Sequence, residues 1–316
     1  MPQSTLPVLA EVVRSGFTES RHRGSLVLLA ADGTVDLALG DPDAPIFPRS
    51  TAKPFQAVAT LRAGLAIEGE LLALAASSHS AETFHLEAVR RILAEAGLTE
   101  ADLRTPADLP LDRTEAEQLL RRGGERSPIL MDCSGKHAGW LAACAANGWD
   151  TASYLDPAHP IQLLAREALQ EATGEQPTHL GTDGCGAPLL AVSLTGLARG
   201  YRALLLAEPG TAPRRVADAM RAHPEYVAGT RRIDTWLMRA VPGALSKMGA
   251  EAVQVVALAD GRALAFKIED GTERASGPVL AEALRRLGIE HEVLDRIGAQ
   301  PLHGGGAVVG EVRAAF

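Results

Sequence analysis

Ser25-Leu-Val-Leu-Leu-Ala30 and Thr34-Val-Asp-Leu-Ala-Leu39 stand on either side of Asp32-Gly33. An Asp-Gly pair between two short apolar runs is a strong hairpin signal, because the tight turn needs residues that accept positive φ. The same pattern returns near the C-terminus, where Ala252-Val-Gln-Val-Val-Ala-Leu258 meets Arg262-Ala-Leu-Ala-Phe-Lys-Ile268 around Asp260-Gly261. Between the hairpins the period changes. Phe55, Val58, Leu61 and Leu65 recur at steps of three and four, as do Leu86, Val89, Ile92 and Leu93, which predicts amphipathic helices. Further helices are predicted over 136–147, 160–173, 188–198, 211–222 and 278–287. Strands at both ends with helices between them predict an α+β fold, an antiparallel sheet of N- and C-terminal strands packed with helices. No repeat or low-complexity linker interrupts the chain, so residues 1–316 read as a single domain of one or two lobes.

Composition narrows the function. Hydrophobic residues make up 46% and charged residues 22%, enough apolar material for a substantial core. A formal net charge of -8 argues against a nucleic-acid partner and against a basic membrane-binding patch. No run approaches the roughly 18 apolar residues that a membrane-spanning helix needs. Met1 to Val13 lack a cationic stretch followed by an apolar run, so no signal peptide is expected. Cys133, Cys144 and Cys185 are an odd set without scaffold spacing, which fits free thiols in a reducing cytoplasm. The expectation is a cytoplasmic enzyme or small-molecule binder.

The chemistry-bearing residues fall in a few segments. In Arg49-Ser50-Thr51-Ala52-Lys53-Pro54-Phe55 a helix is predicted to open, with Pro54 in its first turn, where a missing N–H costs little. Ser50 and Lys53 then share one side of that turn. A serine hydroxyl needs a base within reach, and a buried lysine serves if desolvation lowers its pKa. The helix N-terminus adds N–H groups for an oxyanion. The bland reading of the same residues is a serine cap and a solvated lysine. Ala76-Ser77-Ser78-His79-Ser80-Ala81-Glu82 is dense in hydroxyls, and Ser78 or Ser80 is a candidate cap for a helix beginning near Thr83. Ser246-Lys247-Met248-Gly249 precedes the C-terminal hairpin. Enzymes of the β-lactamase type combine S-x-x-K, a second serine loop and a K-T-G strand in this order, although here Met248 stands for the threonine.

A second cluster joins Asp132-Cys133-Ser134-Gly135-Lys136-His137-Ala138-Gly139 with Gly181-Thr182-Asp183-Gly184-Cys185-Gly186. Glycine-rich turns bearing Cys, Asp and His suggest a site. The phosphate-loop spacing is absent, which excludes nucleotide binding through Ser134-Gly135-Lys136. By spacing alone Cys133 and Cys185 are either buried thiols or a metal-binding pair. Cys144 lies inside an apolar helix and belongs to the core.

Taken together these segments resemble the L-asparaginase II family, the rhizobial-type asparaginases. The resemblance runs nearly end to end through Glu19–Gly24, Arg49–Gln56, Ser78–Glu82, Cys133–Gly139, Thr182–Gly186, His223–Glu225, Asp234–Thr235 and Lys247–Glu251. It implies a fold similar to serine β-lactamases and glutaminases, and hydrolysis of L-asparagine to aspartate and ammonia. It also implies two Ser-Lys tandems, the first on Ser50 and Lys53. The second falls on Ser78 and Lys247, with Ser80 and Lys267 as the alternatives. A zinc ion near the substrate is implied through Cys133, Lys136 and Cys185. Arg49, His79 and Asp183 fall where substrate is held, Asp183 toward the α-ammonium and Arg49 toward the carboxylate. A homodimer is expected. Met248 for threonine and Ala81 for glycine depart from the family pattern. A glutaminase or broader amidase, and a non-catalytic zinc or small-molecule binder, are the rival readings.

Overall fold

The computed structural model describes residues 6–316. It opens with strands β1 (Val8–Arg14), β2 (Phe17–Leu29), β3 (Val35–Leu39) and β4 (Pro45–Ile46), and a 3-10 turn over Arg49–Ala52 leads into α1 (Lys53–Arg62). Next come α2 (Gly69–Ala75), α3 (Thr83–Glu95), α4 (Arg113–Arg121), α5 (Ser134–Asn147) and α6 (Pro160–Thr173). Three short strands follow, β5 (Leu180–Thr182), β6 (Pro188–Leu190) and β7 (Val192–Ser193), and then α7 (Leu194–Leu206), α8 (Ala212–Ala222), α9 (Pro224–Ala228) and α10 (Ile233–Ala240). The chain closes with β8 (Leu245–Gly249), β9 (Val253–Ala257), β10 (Ala263–Ile268), α11 (Ser276–Arg286), α12 (Val293–Gly298), β11 (Pro301–Gly304) and β12 (Ala307–Ala314). Among the described residues no helix is long and apolar enough to cross a membrane.

These elements cluster into two compact units. The first gathers the chain up to Thr51 with Val192–Arg202 and Trp236–Phe316. Its sheet runs β11-β12-β1-β2-β10-β9-β8, each neighbouring pair antiparallel, and β3 joins β2 off that path, also antiparallel. First and last strands are neighbours, from Ala10 opposite Ala314 to Arg14 opposite Gly310. Both sequence-predicted hairpins form: Leu26 faces Leu39 across the Asp32-Gly33 turn, and Ala263 faces Ala257 across Asp260-Gly261. Along β2 exposure alternates at first, but Ser25 to Leu29 are buried at every position. Successive strand residues point to opposite faces, so such a run is covered on both. Helix α11 packs on β1, β9, β10 and β12 through a stripe that includes Leu280 and Leu284.

The second unit, Ala52–Ala191 with Ala203–Thr235, is mainly helical. Its axis is α5, buried at every position from Ser134 to Cys144, Cys144 included, as its apolar setting predicts. A helix covered all round must be lined by small residues wherever neighbours come close. Gly139 meets Ala75 of α2 in this way, with space for little more than a hydrogen. Because α5 begins at Ser134, its first turns carry Lys136 and His137 straight into the interior.

One element differs from expectation. Residues 188–198 do not make a single helix: Pro188–Leu190 pairs with Leu180–Thr182, Val192 and Ser193 pair with Pro45 and Ile46, and helix begins only at Leu194. Pro188 has no N–H to give a helix, and short apolar runs fit buried strand and helix equally well.

Candidate active site

Lys53 is the first residue of α1, with Pro54 beside it in the first turn, as the sequence predicts. Only 1% of Lys53 is exposed. Its Nζ donates to Ser78 Oγ at 2.8 Å and to Asp132 Oδ2 at 3.1 Å. Ser78 lies in the loop after α2, and that loop is held from several sides. Ser78 N–H donates to Val227 O at 2.9 Å, His79 N–H to Asp132 O at 3.1 Å, and Ser80 Oγ to Ala228 O at 2.6 Å. The Glu82 carboxylate accepts both the N–H and the hydroxyl of Thr230, at 2.7 and 2.8 Å. Gly229 between them has φ +108, and a Cβ there would collide with Ser80 and Glu82. Of the two candidate serines the structure therefore brings Ser78 to a lysine and ties Ser80 to the backbone of the 227–230 segment. Neither caps α3. Glu82 holds the cap position, where its own N–H donates to His85 Nδ1 at 3.1 Å.

His79 is fully buried, and both ring nitrogens are engaged. Nδ1 accepts the N–H of Ala81 at 3.1 Å, and Nε2 lies 2.8 Å from Ser134 Oγ. Ser134 gives its own proton to Ile129 O at 2.8 Å, so Nε2 must be the donor and the ring is neutral. Burial drives its pKa far below the usual imidazole value. In this arrangement His79 braces the Ser78 loop, and both ring nitrogens have protein partners.

The charge state of Lys53 departs from expectation. Burial does pull the ammonium pKa down, but the Asp132 carboxylate and the sulfurs of Cys133 and Cys185 outweigh it, and the net direction is upward. Asp132 is thus the residue that the sequence reading left without a role. It sits inside a segment singled out for its Cys, Lys and His, yet nothing local ties it to a lysine 79 positions earlier.

A second set of groups meets in the same unit. Cys133 stands at the N-cap of α5, Lys136 in its first turn, and Cys185 in the turn between β5 and β6. Lys136 Nζ is 3.2 Å from Cys185 Sγ and lies over the Trp140 ring at 4.6 Å. The two sulfurs interact, and their acidities part: the contact with Cys185 and burial push the Cys133 thiol up, while the Cys133 hydrogen bond and, against burial, Lys136 pull Cys185 down. For Lys136, the pull of Cys185 and Cys133 outweighs burial and raises its pKa. Cys133 Sγ donates to Asp132 Oδ1 at 3.6 Å, and Asp183 Oδ2 is 3.8 Å from Cys185 Sγ. Among the described residues no three His, Cys, Asp or Glu side chains are grouped for a metal. Two convergent sulfurs with one amine do fit a zinc ion that takes three protein donors and leaves a fourth position open.

In the other unit, Ser50 lies in the 3-10 turn ahead of α1, after Arg49 in the left-handed region at φ +52. Thr51 Oγ donates to Pro48 O and Tyr201 OH to Thr51 O, both at 2.8 Å, which fixes this turn. Arg49 Nη1 is 3.8 Å from Glu251 Oε1. Lys247 is fully buried on β8 and donates to Met248 O at 2.7 Å. Gly249 ends that strand flush with the turn, since a Cβ there would lie 2.8 Å from Pro48 O and 3.2 Å from Ser50 N. Lys267 is two strands away on β10 and donates to Glu251 O and Ile268 O. Of the two candidate lysines, Lys247 is the one on the strand against Ser50.

The family model for L-asparaginase II matches residues 10–314, almost the whole chain. The chain belongs to the L-asparaginase II family. No curated protein matches this L-asparaginase II family member. Solved structures with some likeness include Mglu in its native form, 17% identical over 84% of this chain and 63% of that one, with a TM-score of 0.43. The chain thus spans less than two thirds of the length of Mglu. A putative β-lactamase from Bacteroides dorei is 15% identical over 83% and 92% of the two chains, TM-score 0.44. EstCE1, described as a hydrolase with promiscuous acyltransferase activity, is 13% identical over 87% and 93%, TM-score 0.45. This family member departs from the usual motif at Ala81, which takes φ +58, a conformation glycine adopts freely and alanine only at a cost.

Proposed function

We propose that the protein hydrolyses L-asparagine to L-aspartate and ammonia through an acyl-enzyme on Ser50. The observation that carries this reading is the hydrogen-bonded trio of buried Lys53 and Ser78 with half-buried Asp132, which gathers residues of three separate family motifs. Lys53 rests as an ammonium. It becomes a base by passing a proton across the 3.1 Å bond to Asp132, leaving a neutral amine beside a neutral acid. Lys53 then takes the proton of Ser50, and Ser50 Oγ attacks the side-chain amide carbon. Backbone N–H groups at the start of the helix hold the oxyanion. The C–N bond breaks, ammonia leaves with a proton relayed through Ser78 and Lys247, and an ester remains on Ser50. Water then cleaves the ester, releasing aspartate and restoring the hydroxyl. Arg49 pairs with the substrate carboxylate and Asp183 with its ammonium.

Cys133, Lys136 and Cys185 are the residues that would hold zinc, the soft sulfurs favouring it over magnesium or calcium. A bound zinc ion supplies an open coordination position that orients the substrate. Ser50 and Lys53 already provide nucleophile and base.

Ammonia release from L-asparagine, from L-glutamine and without substrate tests the proposal. Release with asparagine above the other two supports it. Preference for glutamine would reassign the substrate, and no substrate-dependent ammonia would leave a binding protein.

A further inference from the structure

Helix α4 has no buried residue. The excursion that carries it leaves and returns through a narrow neck. Asp108 and Ser127 exchange both backbone hydrogen bonds, at 3.2 and 3.1 Å, and Thr105 Oγ donates to Pro128 O at 2.8 Å. Of the two leucines on α4, Leu119 packs on Gly124 of its own loop and Leu120 stays exposed. Apolar burial therefore does little to hold α4 in place. Arg231 supplies a hold of another kind. Its Nε donates to Asp112 Oδ2 at 3.2 Å, and its Nη2 to Asp112 Oδ1 at 2.9 Å and Glu115 Oε1 at 2.6 Å. Asp112 is also the N-cap of α4, accepting Glu115 N–H at 3.1 Å. The side chains of Asp112 and Glu115 are only 10% and 18% exposed, so solvent screens this fork less than an ordinary surface pair. A bidentate fork fixes direction as well as distance.

Both attachments lead toward Lys53. The neck runs straight into the Pro128–Leu130 turn, where Ile129 and Leu130 are buried, and on to Asp132. Arg231 follows Thr230, whose N–H and hydroxyl both go to Glu82, and the same segment accepts Ser78 N–H at Val227 O. Ser78 and Asp132 both bond to Lys53, yet they sit on separate strips of chain. The α4 excursion is fixed to one strip by its neck and to the other by Arg231.

We propose that Arg231 is a positioning residue: by clamping α4 to the 227–230 segment, it keeps Ser78 and Asp132 together at Lys53. It acts through these two strips and not on the substrate. The inference rests on the reaction proposed above. A small displacement of reacting groups by a distant change costs up to about 100-fold in rate, which is the scale at which such a clamp matters.

Amide hydrogen exchange and steady-state ammonia release from L-asparagine, both on the full chain, test this. The His79 N–H bonded to Asp132 O joins the two strips and is the amide to follow. In Arg231→Ala its exchange should quicken by about tenfold, and that of Ser78 with it. Turnover should fall by about 10–100-fold while KM stays within about twofold, because the substrate contacts are untouched. Arg231→Lys keeps the charge without the fork and should recover only part of the loss. Asp112→Asn/Glu115→Gln removes the clamp from the other side, and Asn preserves the α4 cap. That double variant should reproduce Arg231→Ala, and the triple variant should be no worse than either. Loosening confined to residues 109–126, with Ser78 and His79 exchanging as in the wild type, would overturn the proposal. So would losses that multiply in the triple variant. If the wild type releases no ammonia, the proposed reaction fails, and exchange at His79 alone then decides whether Arg231 holds the strips together.

Discussion

Lys53 shows how a single neighbour reverses a rule of thumb. Desolvation alone favours the neutral amine, but a carboxylate at 3.1 Å restores the ammonium, so a base at this position needs a place to leave its proton. In the proposed mechanism that place is Asp132. That Ser78 and not Ser80 meets Lys53 was likewise invisible locally, because the loop is held by Val227–Thr230, nearly 150 positions further on. Ala81, in contrast, is a strain legible from one residue. Left-handed backbone costs a non-glycine residue about 1–2 kcal/mol, while glycine's greater freedom in the unfolded chain takes back about 0.5–1 kcal/mol. Ala81→Gly should therefore stabilise the protein by roughly 0.5–1 kcal/mol, read from urea unfolding. A destabilised variant would show that the backbone at φ +58 is relaxed without glycine.

At the scale of elements, the hairpins were readable because Asp-Gly turns act within a few residues. The pairing of β1 with β12 and the passage of β8 beside the Ser50 turn join residues hundreds of positions apart, and no local pattern encodes them. The 188–198 segment was misread because its apolar residues satisfy both periods over so short a span. Gly249 offers a test of the β8 contact. A methyl 2.8 Å from Pro48 O must push strand and turn apart, so Gly249→Ala should lower turnover at least tenfold while costing only about 1–3 kcal/mol of stability. Unchanged turnover would mean the turn's position is irrelevant to activity.

Helix α3 makes a pH prediction. His85 Nδ1 accepts from Glu82 N–H, and Nε2 lies 2.9 Å from Glu225 O, an arrangement that only the neutral ring satisfies. Burial, against the opposing pull of Glu225 and Glu82, lowers its pKa to about 4. The unfolded chain takes up this proton near pH 6.5 and the folded chain only near 4, so stability is full above 6.5 and falls as pH drops between them. The slope is about 1.4 kcal/mol per pH unit for this residue. His85→Asn keeps an acceptor for Glu82 N–H but does not titrate. Between pH 7 and 5 it should lose about 2 kcal/mol less than wild type in urea unfolding, and equal losses would contradict the assignment.

For the molecule as a whole, α+β class and the antiparallel sheet were legible, whereas the division into units was not. One unit draws on three separated segments and the other on two, so neither leaves a boundary in composition. The segments that carry Ser50, Lys53, Ser78, Cys133, Lys136, Cys185 and Lys247 stood out as motifs, whereas the bond between Lys53 and Asp132 comes only with folding. What the account requires above all is that Ser50 performs the attack. The direct test is ammonia release from L-asparagine by Ser50→Ala beside the wild type, with unfolding curves for both. The account predicts an intact fold and a loss of turnover of about a thousandfold or more; a well-folded Ser50→Ala protein that releases ammonia at close to the wild-type rate would contradict it.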